Sequence, residues 1–225
     1  ARYTVIMKKT YENGNSHIVE IIDDENRCFS RKNAKGRYYV FQKRIGKNKQ
    51  YFKLHKFRSM KMSTPHDVPT HQLENPEQYI TKVGKFLRRT SLDELPQLFN
   101  ILMGQMSIVG PRPQLVRDMV FMTDEQRKRH SVRPGLTGLA QCSGRNAMTW
   151  EKKFEYDLQY IERITFWGDI KILLLTVKAV FAREGITEEG MATAADLGDY
   201  LLSEGRVTKE DYDEKQAEAK QLLEV

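Results

Sequence analysis

The sequence contains no long hydrophobic run. No stretch approaches the roughly 18 consecutive apolar residues that a membrane-spanning helix needs, and no signal peptide is visible. The sequence also lacks the GxxxxGK[ST] and GxGxxG loops with which P-loop and Rossmann proteins bind phosphate groups. These absences argue against a membrane-spanning helix, a P-loop kinase and a Rossmann enzyme.

Cysteine and histidine are sparse. The two cysteines, Cys28 and Cys142, lie far apart and match no metal-binding spacing, which favours incidental thiols in a reducing compartment. The five histidines are scattered and carry no local signature of a Ser-His-Asp triad. The sequence therefore predicts neither a cysteine-based metal site nor a serine hydrolase.

Positive charge, by contrast, is plentiful. The formal net charge is +7 and the isoelectric point is near 9.3, which suits a nucleotide, a phospholipid surface or a nucleic acid. Cations are dense between Lys43 and Lys61, where they form either a solvated face or a surface for lipid headgroups or a sugar-nucleotide diphosphate. Aromatic residues lie among them, but no RNP, KH or zinc-finger signature accompanies them, so we expect no nucleic-acid partner.

Strand signals dominate the first part of the chain. Residues 2–22 predict a β-hairpin that turns at Asn13-Gly14, and residues 23–36 read as a charged loop. A second hairpin is predicted from residues 37–42 and 51–57.

Helix signals follow. Asn75-Pro76 predicts a helix start, with Asn75 as the N-cap and a stripe through Leu87. Thr123 and Gln126 predict a capping box for a short helix, and Thr208 predicts the cap of a final charged helix that ends near Leu223. This last helix reads as a surface or oligomerisation helix.

Asp93 and Glu94 form a carboxylate pair just before Pro96, where a helix must begin or kink. Carboxylates at such a place are favoured by the free backbone N–H groups of the helix start. Ser91 and Glu94 also fit an S-x-x-E capping box, in which the two side chains satisfy backbone donors and carry no chemistry. The residues alone leave both interpretations open.

Several arginines lie beside proline or glycine, where the backbone is rigid or can approach a ligand closely. Arg112 stands between Pro111 and Pro113, which suits bidentate binding of a phosphate but also occurs in plain turns. Together with the carboxylate pair, these arginines point to phosphoryl transfer, which depends mainly on charge neutralisation. They are Arg88, Arg112, Arg133 and Arg145.

The chain resembles the bacterial sugar transferases, the monotopic polyprenyl-phosphate phosphoglycosyl transferases. The resemblance rests on ordered motifs and covers roughly residues 37–195. The motifs are KFRSM, SLDELPQLFN, MSIVGPRP, VRPGLTGLAQ and SGRN. It implies an α+β fold, with a mostly helical catalytic domain, short β-hairpins and amphipathic interfacial helices.

The resemblance also implies a reaction. Asp93 would attack the β-phosphorus of a UDP-sugar and release UMP, and a polyprenyl phosphate, such as undecaprenyl phosphate, would then accept the phosphosugar. Asp93 and Glu94 would hold Mg²⁺, or Glu94 would orient Asp93. The residues expected to bind the substrate phosphates are Lys56, Arg58, Arg88, Arg112, Arg133 and Arg145.

The chain departs from this family at its ends. Residues 1–36 form an extension without the re-entrant hydrophobic helix of the family, residues 37–195 the catalytic domain, and residues 196–225 a helical tail. We therefore expect basic amphipathic surface to attach the chain to the anionic cytoplasmic face of the bacterial inner membrane. A homo-oligomer is also compatible with the sequence. The alternative is a soluble, non-catalytic relative or fragment of that fold, and a basic nucleic-acid binder is a more remote one.

Overall fold

The structure is a computed structural model that describes residues 5–10, 16–21, 32–33, 36–37, 39–61, 63–64, 73, 75–144, 148–182 and 195–224. Its strands are β1 (Val5–Thr10), β2 (Ser16–Ile21), β3 (Lys32–Asn33), β4 (Gly36–Arg37), β5 (Tyr39–Ile45), β6 (Tyr51–Phe57), β7 (Ser107–Val109) and β8 (Gly135–Thr137). Its α-helices are α1 (Lys82–Arg89), α2 (Gln97–Leu102), α3 (Val116–Met119), α4 (Asp124–Arg127), α5 (Leu139–Ser143), α6 (Trp150–Glu162), α7 (Phe166–Ala182), α8 (Leu197–Ser203) and α9 (Lys209–Glu224). Helices with short strand pairs confirm the predicted α+β class.

The strands form separate pairs. β1 and β2 are antiparallel, which confirms the first hairpin, although its turn lies outside the described residues. β3 and β4 pair where a loop was expected. β5 and β6 form the second predicted hairpin, and β6 places Lys56 near its carboxyl end.

The helix predicted to open at Asn75 begins later. Asn75 has a φ of +50° and makes no side-chain cap, and Pro76–Tyr79 forms only a 3₁₀ turn. The chain is then extended at Ile80, which pairs with Met60 beyond β6. α1 starts after Thr81, whose hydroxyl accepts a bond from the Gly84 N–H at 2.8 Å. Pairing with Met60 thus interrupts what the sequence pattern reads as one helix.

β7 and β8 pair in parallel and bring two proline-containing segments together. Ser107 aligns with Gly135 and Val109 with Thr137, and the chain after β7 then turns so that the Pro111 carbonyl accepts a bond from the Gly135 N–H at 2.9 Å. The backbones touch closely, because a Cβ on Gly135 would come within 2.1 Å of the Gly110 nitrogen. Only glycine fits at this contact, which positions the segment that carries Arg112.

The carboxyl-terminal helices pack on this frame. Thr208 caps α9 as predicted, since its hydroxyl accepts from the Asp211 N–H at 3.1 Å. Ala219 is buried in a cluster with Phe121 and Phe154. The predicted capping box of Thr123 and Gln126 is also present. Helix α9 therefore contributes to the core of the described structure.

Gly84→Ala should disturb the packing of α1 against Ser59. A Cβ at residue 84 would come within 1.9 Å of the Ser59 carbonyl oxygen, and a backbone oxygen cannot move aside cheaply. We expect a loss of about 1–3 kcal/mol in the free energy of unfolding, measured by urea denaturation. Gly205→Ala is the comparison for residue type, although its φ of +66° adds backbone strain without any close contact. A Gly84→Ala variant as stable as the parent chain or more stable, as is usual for an unobstructed glycine inside a helix, would contradict the clash.

Candidate active site

Asp93 and Glu94 lie in a 3₁₀ turn, Leu92–Glu94, between α1 and α2. α2 begins after Pro96, as the sequence predicts. Of the two interpretations that the sequence left open, the S-x-x-E capping box is wrong, because Ser91 has a φ of +56° and its side chain makes no cap bond. The Glu94 carboxylate instead points to residues far away in the sequence.

Glu94 binds two cations. Its Oε1 accepts a bond from the Lys56 ammonium at 2.8 Å and from Nη2 of Arg112 at 3.1 Å. The side chains of Lys56 and Glu94 are 18% and 19% exposed, whereas that of Arg112 is 50% exposed. Glu94 therefore joins β6, the turn and the segment after β7 at one partly buried point.

The charges at this point shift one another's protonation. Burial alone would raise the pKa of Glu94, but Lys56 and Arg112 hold that pKa well below its usual range. Glu94 in turn raises the pKa of Arg112. Burial lowers the pKa of Lys56, an effect that Glu94 opposes. Glu94 is thus a fixed anion under ordinary conditions.

Asp93 differs from its neighbour. Burial raises the pKa of Asp93 above its ordinary value, the charge of Lys56 opposes this, and the Glu94 carboxylate adds to it. A carboxylate that is desolvated but still near cations is less stabilised than one held by direct hydrogen bonds. This environment suits a nucleophile or a metal ligand.

Arg88 is placed close enough to Asp93 to act on its charge. Its Nε donates to the Ser59 hydroxyl at 2.8 Å, and burial lowers the pKa of the guanidinium. Ser59 also accepts, through its carbonyl, a bond from the Thr81 N–H at 3.0 Å. Ser59 therefore fixes both the start of α1 and the arginine near its end, a role that its position in KFRSM did not reveal.

The structure describes two of the three remaining predicted arginines. Arg58 is half-buried, two residues after Lys56. Arg133 is exposed, with its guanidinium beside Gly104 at the end of α2. Arg145 lies outside the described residues. The structure thus brings Lys56, Glu94 and Arg112 into contact, with Asp93 and Arg88 close by.

Asn100 is the main supporting residue that the sequence reading missed. Its side chain is fully buried, accepts from the His55 N–H at 3.0 Å and donates to the Lys53 carbonyl at 2.8 Å. It therefore occupies the place of a neighbouring strand along β6, directly before Lys56. A polar residue inside the apolar stretch of α2 was the available signal, but its partners could not be read from the sequence.

Apolar side chains are exposed on α2 and α7. Leu102 is 82% exposed and Trp167 is 77% exposed. The others on these two helices are Leu98, Phe99, Phe166, Leu174 and Val177. Where exposed apolar side chains lie together, they mark surfaces that meet a partner or a membrane. Within the described part of the chain, no helix has the length and apolar character needed to cross a bilayer.

The arrangement can neutralise phosphate charge and offer one carboxylate for covalent or metal chemistry. Within the ranges that the structure describes, no group of three or more histidine, cysteine, aspartate or glutamate side chains could hold a metal ion. The pair Asp93–Glu94 still fits Mg²⁺, which is commonly held by one or two carboxylates together with substrate phosphates and water.

Comparisons with known proteins agree with this chemistry. The chain is 46% identical over 153 residues to the uncharacterized sugar transferase EpsL of Bacillus subtilis, covering 68% of this chain and 74% of that protein. It is 43% identical over 156 residues to the galactosyl transferase CpsE of Streptococcus agalactiae, covering 64% of this chain and 34% of that protein. It is 46% identical over 144 residues to the UDP-glucose:undecaprenyl-phosphate glucose-1-phosphate transferase of Escherichia coli, covering 60% of this chain and 31% of that protein.

The chain thus spans about three quarters of the first of these relatives and about a third of the other two. The model of the bacterial sugar transferase family matches residues 28–183, well over half of the chain and all the described elements around Glu94. The chain belongs to the bacterial sugar transferase family.

Proposed function

We propose that this chain transfers a phosphosugar from a UDP-sugar to a polyprenyl phosphate, undecaprenyl phosphate in the cell, and releases UMP. The names of three relatives specify transfer of this kind to undecaprenyl phosphate. The observation that carries the proposal here is the contact of Glu94 with both Lys56 and Arg112, beside an Asp93 whose pKa burial raises. The product would be the first lipid-linked sugar of an exopolysaccharide, a capsule, an O-antigen or a glycoprotein glycan.

In the first step, a carboxylate oxygen of Asp93 attacks the β-phosphorus of the UDP-sugar. A new phosphorus–oxygen bond forms, the bond from that phosphorus to the bridging oxygen breaks, and UMP leaves with the bridging oxygen. In the second step, a phosphate oxygen of the polyprenyl phosphate attacks the same phosphorus. The bond to Asp93 breaks, and the carboxylate is regenerated.

Positive charge is what the reaction requires from the surrounding residues. Arg112 is half-exposed, so its remaining donors can reach a diphosphate while Nη2 holds Glu94. Arg88 lies near Asp93, where it can stabilise charge on the transferred phosphoryl group. We assign further contacts with the substrate phosphates to Lys56, Arg58, Arg133 and Arg145.

We propose that Asp93 and Glu94 hold Mg²⁺. Both cation contacts of Glu94 use Oε1, so Oε2 is the oxygen that we assign to the metal. When bound, Mg²⁺ supplies positive charge to the diphosphate oxygens. Lys56 and Arg112 keep Glu94 ionised and oriented for this task.

Arg112→Lys should reduce catalysis although the charge is kept. A lysine ammonium can hold Glu94 or a phosphate but lacks the planar fork that serves both. We expect the variant to lose about 1.5–3 kcal/mol of transition-state stabilisation. This loss is calculated from kcat/KM for the UDP-sugar, which is measured by UMP release. Lys128→Arg, an exposed substitution in the turn after α4, is the control for surface charge type. Wild-type kinetics in Arg112→Lys would make Arg112 a turn residue only.

We place the chain on the cytoplasmic face of the inner membrane, where its lipid substrate can be reached. The sequence predicts that basic side chains attach the chain to the membrane. The exposed apolar residues of α2 and α7 support a second, apolar contribution to membrane binding. Insertion of such side chains into the headgroup region does not weaken with salt, whereas the attraction of lysine and arginine does. We therefore propose an attachment that is only partly sensitive to salt.

Leu102→Ser combined with Trp167→Ser should weaken this attachment. Burying one large apolar side chain is worth about 1.5–3 kcal/mol, so binding to anionic liposomes in high salt should fall on the order of tenfold or more. Co-sedimentation with vesicles of defined composition measures the effect. Tyr39→Ser, on β5, is the control for loss of an exposed aromatic residue. Unchanged high-salt binding in the double variant would exclude α2 and α7 from the membrane contact.

A UMP-release assay with a panel of UDP-sugars, with and without polyprenyl phosphate, tests the proposed function. UMP release that depends on one sugar nucleotide and yields a lipid-linked phosphosugar is expected. A chain that binds UDP-sugars but releases no UMP would be the non-catalytic relative. Salt-dependent binding to nucleic acid without UMP release would favour a nucleic-acid binder.

A further inference from the structure

The segment that mounts Arg112 is held at each backbone carbonyl. Four successive carbonyl oxygens, those of residues 111–114, accept bonds from three separate places in the fold: β8, the 3₁₀ turn after α4, and the end of β5. The bonds are Gly135 N–H to Pro111 at 2.9 Å, Arg129 Nη2 to Arg112 at 2.9 Å, Arg44 Nη1 to Pro113 at 3.5 Å and Ile45 N–H to Gln114 at 3.2 Å. One of these donors, Arg129, belongs to a buried ion pair.

Arg129 and Asp157 lie deep in the protein. Their side chains are 1% and 4% exposed, and Asp157 Oδ2 accepts bonds from Nε of Arg129 at 2.9 Å and from Nη2 at 2.6 Å. Arg129 comes from the 3₁₀ turn after α4, and Asp157 comes from α6. Burying two charges has a large desolvation cost, so such a pair is not explained by stability alone.

The Nη2 group of Arg129 connects this pair to the site. It bonds both to Asp157 and to the backbone carbonyl of Arg112. Since Pro113 follows Arg112, the peptide unit between them has no N–H. The Arg112 carbonyl is therefore the only group of this peptide unit that can form a hydrogen bond. The direction of that peptide unit determines where the side chain of Arg112 leaves the backbone.

The connection continues to the carboxylate pair. The Arg112 carbonyl is held by Arg129, and the Arg112 guanidinium reaches Glu94 at 3.1 Å. A shift of the Arg112 backbone would therefore move the guanidinium relative to Glu94 and to any diphosphate bound there. A misplacement of about 1 Å can reduce the rate about 10²-fold, even when the substituted residue does not touch the substrate.

We propose that Arg129, held by Asp157, is a positioning residue that fixes Arg112 for phosphate binding. The inference rests on the proposed function, since it presumes that Arg112 binds the diphosphate of the UDP-sugar. Arg129 itself is buried and does not reach the substrate. The peptide unit before Pro113 has no N–H of its own, and the buried pair gives its carbonyl a charged donor whose direction is set by Asp157 on α6.

The test removes both charges together. The double variant Arg129→Met, Asp157→Leu leaves no unpaired buried charge, and apolar replacement of a buried pair commonly preserves the fold. We expect its thermal midpoint to stay close to that of the parent chain, and kcat/KM for the UDP-sugar to fall about tenfold, as for loss of a hydrogen bond from a charged donor. UMP release gives the rates.

A double-mutant cycle with Arg112→Lys separates positioning from general loss of structure. If Arg129 acts through Arg112, adding the double variant to Arg112→Lys should lower kcat/KM by much less than tenfold. Ala219→Gly, which weakens the buried face of α9, is the control, and its effect should multiply with that of Arg112→Lys.

The positioning role of Arg129 is overturned, and the proposed function is not, by either of two results. One is an unchanged kcat/KM in the double variant, and the other is a full further tenfold loss when the double variant is added to Arg112→Lys. Wild-type kinetics in Arg112→Lys itself overturns the proposed role of Arg112 and this inference with it. If the double variant shows no cooperative thermal transition, Arg129→Lys takes its place in the same cycle. Its single ammonium cannot reproduce both contacts of the Arg129 guanidinium.

Discussion

Asp93→Asn should abolish phosphosugar transfer and leave the fold intact. The amide has no anionic oxygen with which to attack phosphorus, so the expected loss is more than about 10³-fold in kcat, the scale seen when a covalent nucleophile is removed. Stability should not fall, because burial raises the pKa of Asp93, and the neutral amide avoids the desolvation of a carboxylate.

Two measurements separate this prediction from a simple loss of binding. Incubation with a UDP-sugar labelled in the sugar and without lipid acceptor should label the parent chain covalently and leave Asp93→Asn unlabelled. Thermal unfolding and UDP-sugar affinity should remain close to those of the parent. Activity above a few per cent in freshly prepared variant, with deamidation excluded by mass spectrometry, would remove Asp93 from the nucleophilic role.

The sequence could predict local features where local interactions decide the structure. Thr123–Gln126 and Ser91–Glu94 both fit the same capping-box pattern, yet the box forms only at Thr123. At Ser91 the pattern fails because Glu94 is drawn to Lys56 and Arg112, which lie 38 and 18 residues away. A tertiary ion contact outweighs a capping bond worth about 1 kcal/mol.

The same limit applies to the candidate site. Arg112 and Arg133 both follow or precede proline and look alike in the sequence, but the structure places Arg112 on Glu94 and Arg133 beside Gly104. The carboxylate pair and the basic segment before it could be recognised by type and order. The contacts of Asn100 with β6 and of Arg129 with Arg112 depend on how the elements pack, and no local pattern reports them.

The carboxyl-terminal region shows how packing changes an interpretation. Charge alone suggests a surface helix for α9, whereas Lys43 donates to the carbonyls of Leu222 and Leu223 at 3.2 Å each. Asp118 accepts from the N–H of Leu197 at 3.0 Å, which ties the start of α8 to α3. Residues outside the family match therefore support the helix that directly follows the Arg112 segment.

Glu94→Gln is expected to have the second large effect. Glutamine keeps the shape and one carbonyl acceptor but removes the charge that two cations share. We expect kcat to fall by about 10²–10³-fold, because Lys56 and Arg112 lose their common anion and, in the proposed metal role, Mg²⁺ would lose a ligand. The folded chain should also lose about 1–3 kcal/mol in its free energy of unfolding, since partly buried Lys56 is left without its counter-ion.

The two roles proposed for Glu94 predict different responses to Mg²⁺. If Glu94 is a metal ligand, Glu94→Gln should need much more Mg²⁺ for half-maximal UMP release, and part of the rate should return at high Mg²⁺. If Glu94 only orients the cations and Asp93, the Mg²⁺ dependence should match the parent and the rate should stay low. Arg112→Lys serves as the control, because it alters the same contact without removing a carboxylate. Near-parental kcat in Glu94→Gln would contradict both roles, and the ion contact would then be structural.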